Sequence, residues 1–309
     1  MEKNLELVSR TLGGRRDFLK FGSAAALGAG AFALAACQGS SSAGTTATAA
    51  GGESVLDKWV NSKQASLGVD LTFKPLEYRD PTTNKPTGYV LEITQLMMSD
   101  LGVTPNYVEI PFGQLFAALQ AGKFDMMGVA ATILPTRALR GLFAAIPQYY
   151  ETNFMLLKPG SKITELNQLN DPSVTITAVQ GSSEEFTGKL LFPRAKAVGF
   201  TTTGDCLDAL GTGRADGCII NDVAIPDALT KYPAIQILQG GAIFLNADTY
   251  FMPLTDYKLW YWVTNWMRYQ ATHEVFKGLW ATWIGDELFS KYKIRTSTVG
   301  GAGEAVPYP

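Results

Sequence analysis

The sequence predicts an α/β protein of two Rossmann-like lobes, each built on a parallel-rich sheet. Three observations predict it. Apolar runs of strand length alternate with segments of helical periodicity, the order expected of parallel strands covered by helices. That alternation occurs twice. The copies also share a motif: Ala118-Leu119-Gln120-Ala121-Gly122-Lys123-Phe124-Asp125 and Ala209-Leu210-Gly211-Thr212-Gly213-Arg214-Ala215-Asp216 both read Ala-Leu-x-x-Gly-basic-x-Asp, 91 residues apart.

The N-terminal segment reads as an address. Arg15-Arg16-Asp17-Phe18-Leu19-Lys20 precedes an apolar, Ala/Gly-rich run from Phe21 to Ala36, which ends in Leu34-Ala35-Ala36-Cys37. Positive charge, an apolar stretch and small residues at its end make residues 1–36 an export signal. The alternative is an uncleaved membrane anchor. The arginine pair looks like a twin-arginine signal. The Leu-Ala-Ala-Cys ending resembles a lipoprotein box, in which Cys37 is acylated. Residues 37–53 are mostly Gly, Ser, Ala and Thr and read as a flexible tether.

The elements of the first copy follow. Leu67 to Phe73 reads as a strand. Val90, Ile93, Met97 and Leu101 mark a helix closed at Gly102. Tyr107 to Ile110 is a strand, Leu115, Phe116 and Leu119 lie on a helix ended by Gly122, and Phe124 to Ala130 is a buried strand. In the second copy the strands are Val174–Val179, Ala197–Phe200 and Gly217–Ile220. The helices between them are Glu184–Leu191 and Cys206–Leu210.

Composition excludes several chemistries. Lys+Arg number 26 and Asp+Glu 28, so no basic excess exists to neutralise nucleic acid. With one histidine and three cysteines, a Cys/His metal centre or a Cys–His catalytic pair has almost nothing to be built from. No metal or cofactor is expected. His273 falls in a predicted helix and reads as structural. Cys206 at a helix start and Cys218 at a strand start read as too far apart for a bridge, which favours two buried free thiols.

In open α/β sheets, ligands sit beyond the carboxyl ends of strands. Three strand ends matter. After Ala130 comes Thr132-Ile133-Leu134-Pro135-Thr136-Arg137, with Pro135 suited to a first helical turn. Arg137 is either a solvated surface residue or a two-point partner for a carboxylate. After Ile220 comes Asn221-Asp222, and Asp222 either caps a helix or meets an ammonium group. After Val179 comes Gln180-Gly181-Ser182-Ser183-Glu184-Glu185, an ordinary capped helix or an anion-friendly helix start. A small zwitterion satisfies all three readings together.

These residues, in this order, resemble the amino-acid-binding family of periplasmic solute-binding proteins of ABC transporters (family 3, type II fold). The resemblance covers roughly Ser54 to Asp286 and includes Pro86-Thr87-Gly88-Tyr89 with Glu92, and Trp283-Ile284-Gly285. It implies that residues 54–156 and 248–309 form one lobe and 157–247 the other, with hinge crossings near Met155–Lys158 and Phe244–Tyr250. It implies ligand contacts from Arg137 and Ser182 to an α-carboxylate, from Asp222 to an α-amino group, and from Thr132. An aromatic wall from Phe73, Tyr78 and Phe112 is expected, against the alternative that these rings are core. The sequence departs from the family at Leu134, where a hydroxyl residue is usual, at Ala130 or Ala131, and over Phe143–Tyr150. Trp260, Trp262, Trp266, Tyr269, Trp280 and Trp283 read as packing or, less well, as a cage for a quaternary ammonium.

The resemblance implies a monomeric, lipid-anchored receptor at the periplasm or cell surface. It would close on an amino acid or similar zwitterion and deliver it to a membrane permease, or sense it. The rival from the enzyme class is a dehydratase-type lyase, which needs a raised carboxylic acid in the cleft. Glu77 is its candidate, and Glu184 a poor one, because a helix start lowers an acid's pKa.

Overall fold

The repeated motif proves to be a repeated piece of architecture. In a computed structural model describing residues 53–239, 243–285 and 297–298, Gly122 and Gly213 take φ of 68° and 78°. Only glycine adopts this region freely, and here it turns each chain out of a helix. The motif's aspartates then do the same work twice. Asp125 accepts the Ser66 N–H at 3.2 Å, and its own N–H donates to Ser66 O at 2.8 Å. Asp216 accepts the Thr175 N–H at 2.8 Å, and its N–H donates to Thr175 O at 2.8 Å. Each aspartate thus ties the third strand of its copy to the first. Contacts divide the chain into Met1–Glu53 and Ser54–Pro309. The expected signal, tether and Cys37 lie outside the described residues.

Both copies place their strands in second–first–third order, all parallel. The first sheet runs Thr104–Glu109, Gln64–Val69, Met126–Met127. The second runs Lys196–Phe200, Thr175–Val179, Gly217–Asn221. The helices follow the predicted periodicity. Tyr89–Leu101 buries Val90, Ile93 and Met97 and ends on Gly102 at φ 68°. Phe112–Gln120 buries Leu115, Ala118 and Leu119. Ser183–Leu191 and Thr203–Gly211 are capped by Ser182 and Thr202. Among the described residues no helix is long and apolar enough to cross a membrane.

Two predicted strands are broken where the chain changes partner. The Leu67–Phe73 run ends at Val69. Asp70 then turns the chain by accepting from Thr72 N at 3.0 Å and Thr72 Oγ1 at 2.6 Å, and Thr72–Phe73 joins a small antiparallel sheet with Glu77–Arg79. The Phe124–Ala130 run yields only Met126–Met127 in the first sheet. Ala131–Thr132 then joins the edge of the second.

Two long antiparallel strands lie side by side between the copies. Tyr149–Leu157 pairs with Gly217–Asn221 along its C-terminal half and with Phe244–Thr249 along its N-terminal half, in the register Asn246↔Glu151 and Asp248↔Tyr149. The largest fully buried side chains include Trp59, Tyr89, Tyr250, Phe251 and Phe276.

Candidate functional site

A cleft of about 700 Å³, open at its mouth, lies where the strand ends of both copies meet the paired long strands. One wall carries Asp70, Phe73, Glu77 and Phe112. The other carries Ser182, Ser183, Glu184, Cys206, Cys218 and Asn221. Tyr149, Glu151 and Asp248, from the long strands, lie between. Among the described residues five carboxyl groups line the cleft, and no lysine, arginine or histidine does.

Strand alternation places the long-strand acids. Residues i and i+2 share a face, so Tyr149, Glu151 and Asn153 point one way, as do Asn246 and Asp248 opposite them. Glu151 is buried. Its Oε1 accepts from Asn153 Nδ2 at 2.8 Å and Asn246 Nδ2 at 2.9 Å, and its Oε2 from Asn221 Nδ2 at 3.2 Å. Ser183 Oγ lies 3.1 Å from Glu151 Oε1 and 3.0 Å from Glu184 Oε2, and its single proton serves one of them. Asp248 is 2% exposed. Its Oδ1 accepts from Thr132 Oγ1 at 2.9 Å, while Oδ2 is buried without a partner. Glu77 is 4% exposed, and its Oε2 is likewise buried without a partner.

Burial and mutual repulsion govern these groups. Burial pushes the Glu77 carboxyl well above the usual carboxylate range, and Asp70 and Glu151 add to the effect. Asp248 is also pushed well up, first by burial and then by Glu151, with Arg137 opposing. Glu184 is pushed up to about 7 by burial and by Glu151. The expectation that its helix start would hold it low fails, because desolvation outweighs the bonds from its own N–H, Ser182 and Ser183. Asp70 is raised by burial against the bonds it accepts from Thr72 and Phe112.

Of the predicted site residues, Phe73, Phe112, Thr132 and Ser182 line the cleft. Ser182 accepts from Glu185 N at 3.2 Å. Arg137 does not line it. Pro135 starts a four-residue helix as expected, and Arg137 lies in that turn, 9% exposed. Its Nη1 donates to Thr132 O at 3.0 Å and its Nη2 to Gly181 O at 2.8 Å. Its guanidinium carbon lies 4.5 Å from the Phe116 ring centre. Burial lowers its pKa, and Asp248, Glu184 and Glu151 oppose that.

Nor does Asp222 line the cleft. Its neighbour Asn221 takes the wall position, while Asp222 is buried in a 3₁₀ turn and accepts from Val223 N at 2.9 Å. Tyr78 packs edge-on against Trp283 at 6.5 Å; in a strand, facing the cleft with Glu77 turns Tyr78 away. Cys206 and Cys218 are free and buried. Both line the cleft, and Cys218 and burial push the Cys206 thiol up, so the two side chains are neighbours although they come from a helix and a strand. The tryptophans form no cage at the cleft. Trp260 donates to Phe143 O at 2.7 Å, Trp266 to Asp100 at 2.9 Å, and Trp280 packs on Tyr89 at 5.0 Å. His273 is exposed at a helix end.

Asp70, Glu151 and Asp248 escaped the sequence reading. Each had a signal: Asp70 directly follows an apolar strand, and the other two are lone acids inside strand-like runs. Among the described residues no group of three or more His, Cys, Asp or Glu is placed to hold a metal ion.

The walls touch through backbone. A Cβ added to Gly113 would lie 2.6 Å from Gln180 O, and one added to Gly181 would lie 2.7 Å from Gly113 Cα. Lys74 and Asp227 form an exposed ion pair at 3.2 Å between the same two sides. The two walls thus stand in a closed arrangement.

The sequence matches the family described as "Bacterial extracellular solute-binding proteins, family 3" over residues 66–286. It is 26% identical over 174 residues to the "Probable amino-acid ABC transporter periplasmic-binding protein y4tE" of Sinorhizobium fredii (strain NBRC 101917 / NGR234), covering 53% of this chain and 55% of that protein. It is 30% identical over 74 residues to the "L-cystine-binding protein TcyA" of Bacillus subtilis (strain 168), covering 23% of this chain and 28% of that protein. The matches thus span about half or less of these relatives. Among solved structures, the solute receptor for L-cysteine of Neisseria gonorrhoeae superposes with a TM-score of 0.71 at 17% identity, covering 80% of this chain and all of that one.

Proposed function

The chain belongs to the bacterial extracellular solute-binding proteins of family 3 and has the type II periplasmic binding fold, and from that premise we propose that it captures a small, ammonium-bearing solute of the amino-acid class by hinge closure and hands it to an ABC importer. The observation that carries this is the cleft. Its walls come from both copies and its central residues from the two long strands between them, so a guest there contacts every part that moves on closure. Differential contact of that kind shifts an open–closed equilibrium. The names of the relatives support the amino-acid class.

The N-terminal motifs support export through the twin-arginine route and lipid anchoring at Cys37, which mass spectrometry of the membrane-extracted protein tests directly. Binding is tested by thermal shift and calorimetry against amino acids and small amines, with X-ray scattering to follow closure. A saturable, one-to-one response to at least one of these, with a fall in radius of gyration, is expected. Silence to all refutes the reading.

A lyase is the second reading, because Glu184 stands in the cleft as an acid pushed up to about 7. The lining weighs against it: five carboxyl groups, with Arg137 beside them, disfavour an anionic hydroxy acid. Dehydration of hydroxy acids by the purified protein, lost in Glu184→Gln, would reverse that judgement.

A further inference from the structure

The second copy of the repeat carries two cysteines where the first has a packed apolar pair. Counting back 91 residues, the offset of the shared motif, Cys206 falls on Leu115 and Cys218 on Met127. Leu115 and Met127 are fully buried and belong to one core cluster, where the helix Phe112–Gln120 lies on the first sheet. The fold therefore brings these two positions together, one on a helix and one on the third strand of each copy. In the second copy both members are cysteine. Cys206 sits in the first turn of the helix Thr203–Gly211 and Cys218 in the strand Gly217–Asn221, and each is 1% exposed.

Three further observations bear on what this pair does. Both cysteines line the cleft, so a small molecule entering between parted walls reaches the thiols without unfolding the second copy. Among the described residues each is the only thiol the other can meet. Burial and Cys218 push the Cys206 thiol up. A buried, protonated thiol is inert toward most electrophiles, and attack by it is slow. The same affinity for a proton makes the Cys206 sulfur a poor leaving group, so a bond formed there resists reduction once made. The family is extracellular by its description, and disulfides persist in such compartments.

We propose that Cys206 and Cys218 are a modification site: outside the cytoplasm they close to a disulfide within one wall of the cleft. This rests on the extracytoplasmic location of the family and not on which solute binds. The oxidant is a disulfide of a small thiol, RSSR. One cysteine sulfur, as its thiolate, attacks an oxidant sulfur, which forms a mixed disulfide and releases one RSH. The second cysteine sulfur then attacks the mixed disulfide and releases the other RSH. The two cysteine protons and two electrons end on the released thiols, and one S–S bond is exchanged for another. Helix and strand belong to the same copy, so the bond staples one wall and leaves the gap between the walls free to open.

The test is a thiol count on the full chain recovered from the cell envelope without reductant, then denatured and alkylated with N-ethylmaleimide. Trypsin cuts after Lys196, Arg214 and Lys231, so the disulfide joins the peptide Ala197–Arg214 to Ala215–Lys231. Neither peptide should take up maleimide until the sample is reduced, and each should then take up one. Chain kept reduced should pass to the same cross-linked form on incubation with oxidised glutathione. The oxidised protein should melt about 5–10 °C above the reduced one, a difference that Cys218→Ser should remove; the peptide count decides the matter should that variant not fold. Maleimide on both cysteines of the unreduced envelope sample, or glutathione mixed disulfides in place of the cross-link, overturns the inference and leaves the solute-binding reading untouched. Failure of every amino acid and amine to bind overturns that reading and leaves this one standing.

Discussion

Replacing Gly113 by alanine separates closure of the cleft from stability of the fold. Gly113 lies in the helix Phe112–Gln120, and its φ is not among the positive ones, so alanine is conformationally welcome there. On propensity alone the change stabilises the helix by about 0.5–1 kcal/mol. In the closed arrangement, however, the new methyl would stand 2.6 Å from Gln180 O and 3.2 Å from Gln180 C. Both are backbone atoms, which cannot step aside by changing rotamer. Overpacking of this kind costs about 1–3 kcal/mol. That cost falls only on the closed state, so it appears as an affinity loss of about 5- to 150-fold at 1.4 kcal/mol per decade. The assay is calorimetric titration with the tightest member of the amine and amino-acid panel, beside a thermal melt of the empty protein. Gly278→Ala is the control. It lies in the helix Val275–Trp283, and nothing stands within 4 Å of its added Cβ. The control should gain stability with binding unchanged. Gly113→Ala should melt no lower than the parent yet bind more weakly. A Kd for Gly113→Ala within twofold of the parent would refute the argument that the two walls must meet at this point.

Further outcomes follow from the same geometry. Glu184 at about 7, against its ordinary 4.5, means the folded protein holds a proton that the unfolded chain releases over that interval. The stability of the empty protein should therefore fall as pH rises from about 4.5 through 7, by about 1–3 kcal/mol, and Glu184→Gln should flatten the profile in urea titrations. For a cationic guest the sign reverses. Binding expels that proton, so affinity for an ammonium-bearing solute should drop by up to about tenfold per pH unit below 7, and the heat of binding at pH 7 should vary with the buffer's ionisation enthalpy. Asp125→Ala removes the acceptor for Lys58 Nζ at 2.6 Å, Trp59 Nε1 at 2.9 Å and Ser66 N at 3.2 Å. It should cost about 2–3 kcal/mol and lower the melting temperature by about 5–10 °C; an unchanged melt would deny the aspartate its role in the repeat. Arg137→Ala loses two bonds to carbonyls and the stacking on Phe116, and should lower the urea midpoint by the equivalent of about 2–4 kcal/mol. Arg137→Lys should not restore it, since a single ammonium cannot copy the fork.

How far the sequence could be read depended on what each residue answers to. Helix periodicity and the Gly-basic-x-Asp echo answer to local geometry, so the helices of both copies and the Gly102 and Gly122 turns fell where expected. The break after Val69 and the division of Phe124–Ala130 answer to a change of partner strand. No local pattern in an apolar run announces which sheet it will join. The site was legible in its position, at the strand ends, more than in its charges. Asp222 and Tyr78 were singled out, and in each case the adjacent residue, Asn221 or Glu77, lines the cleft. A shift of one residue along a strand reverses the face, and a strand end in a sequence carries no register. Glu184 was read from its helix start, a single local influence. Burial and Glu151, a residue 33 positions earlier, set its proton affinity instead.

The placement of Glu151 and Asp248 on the paired long strands has a mechanical consequence. In the closed arrangement both come near Glu184 on one wall, and the upward push that Glu184 and Asp248 receive from Glu151 is the signature of repulsion that closure alone would aggravate. An empty receptor must either protonate these groups or keep its walls apart. A cation between them removes the repulsion and supplies donors to Asp248 Oδ2 and Glu77 Oε2 together. Charge neutralisation and closure are then one event. Glu151 and Asp248 lie on the paired long strands between the copies, where a small rotation of the walls would change every separation at once.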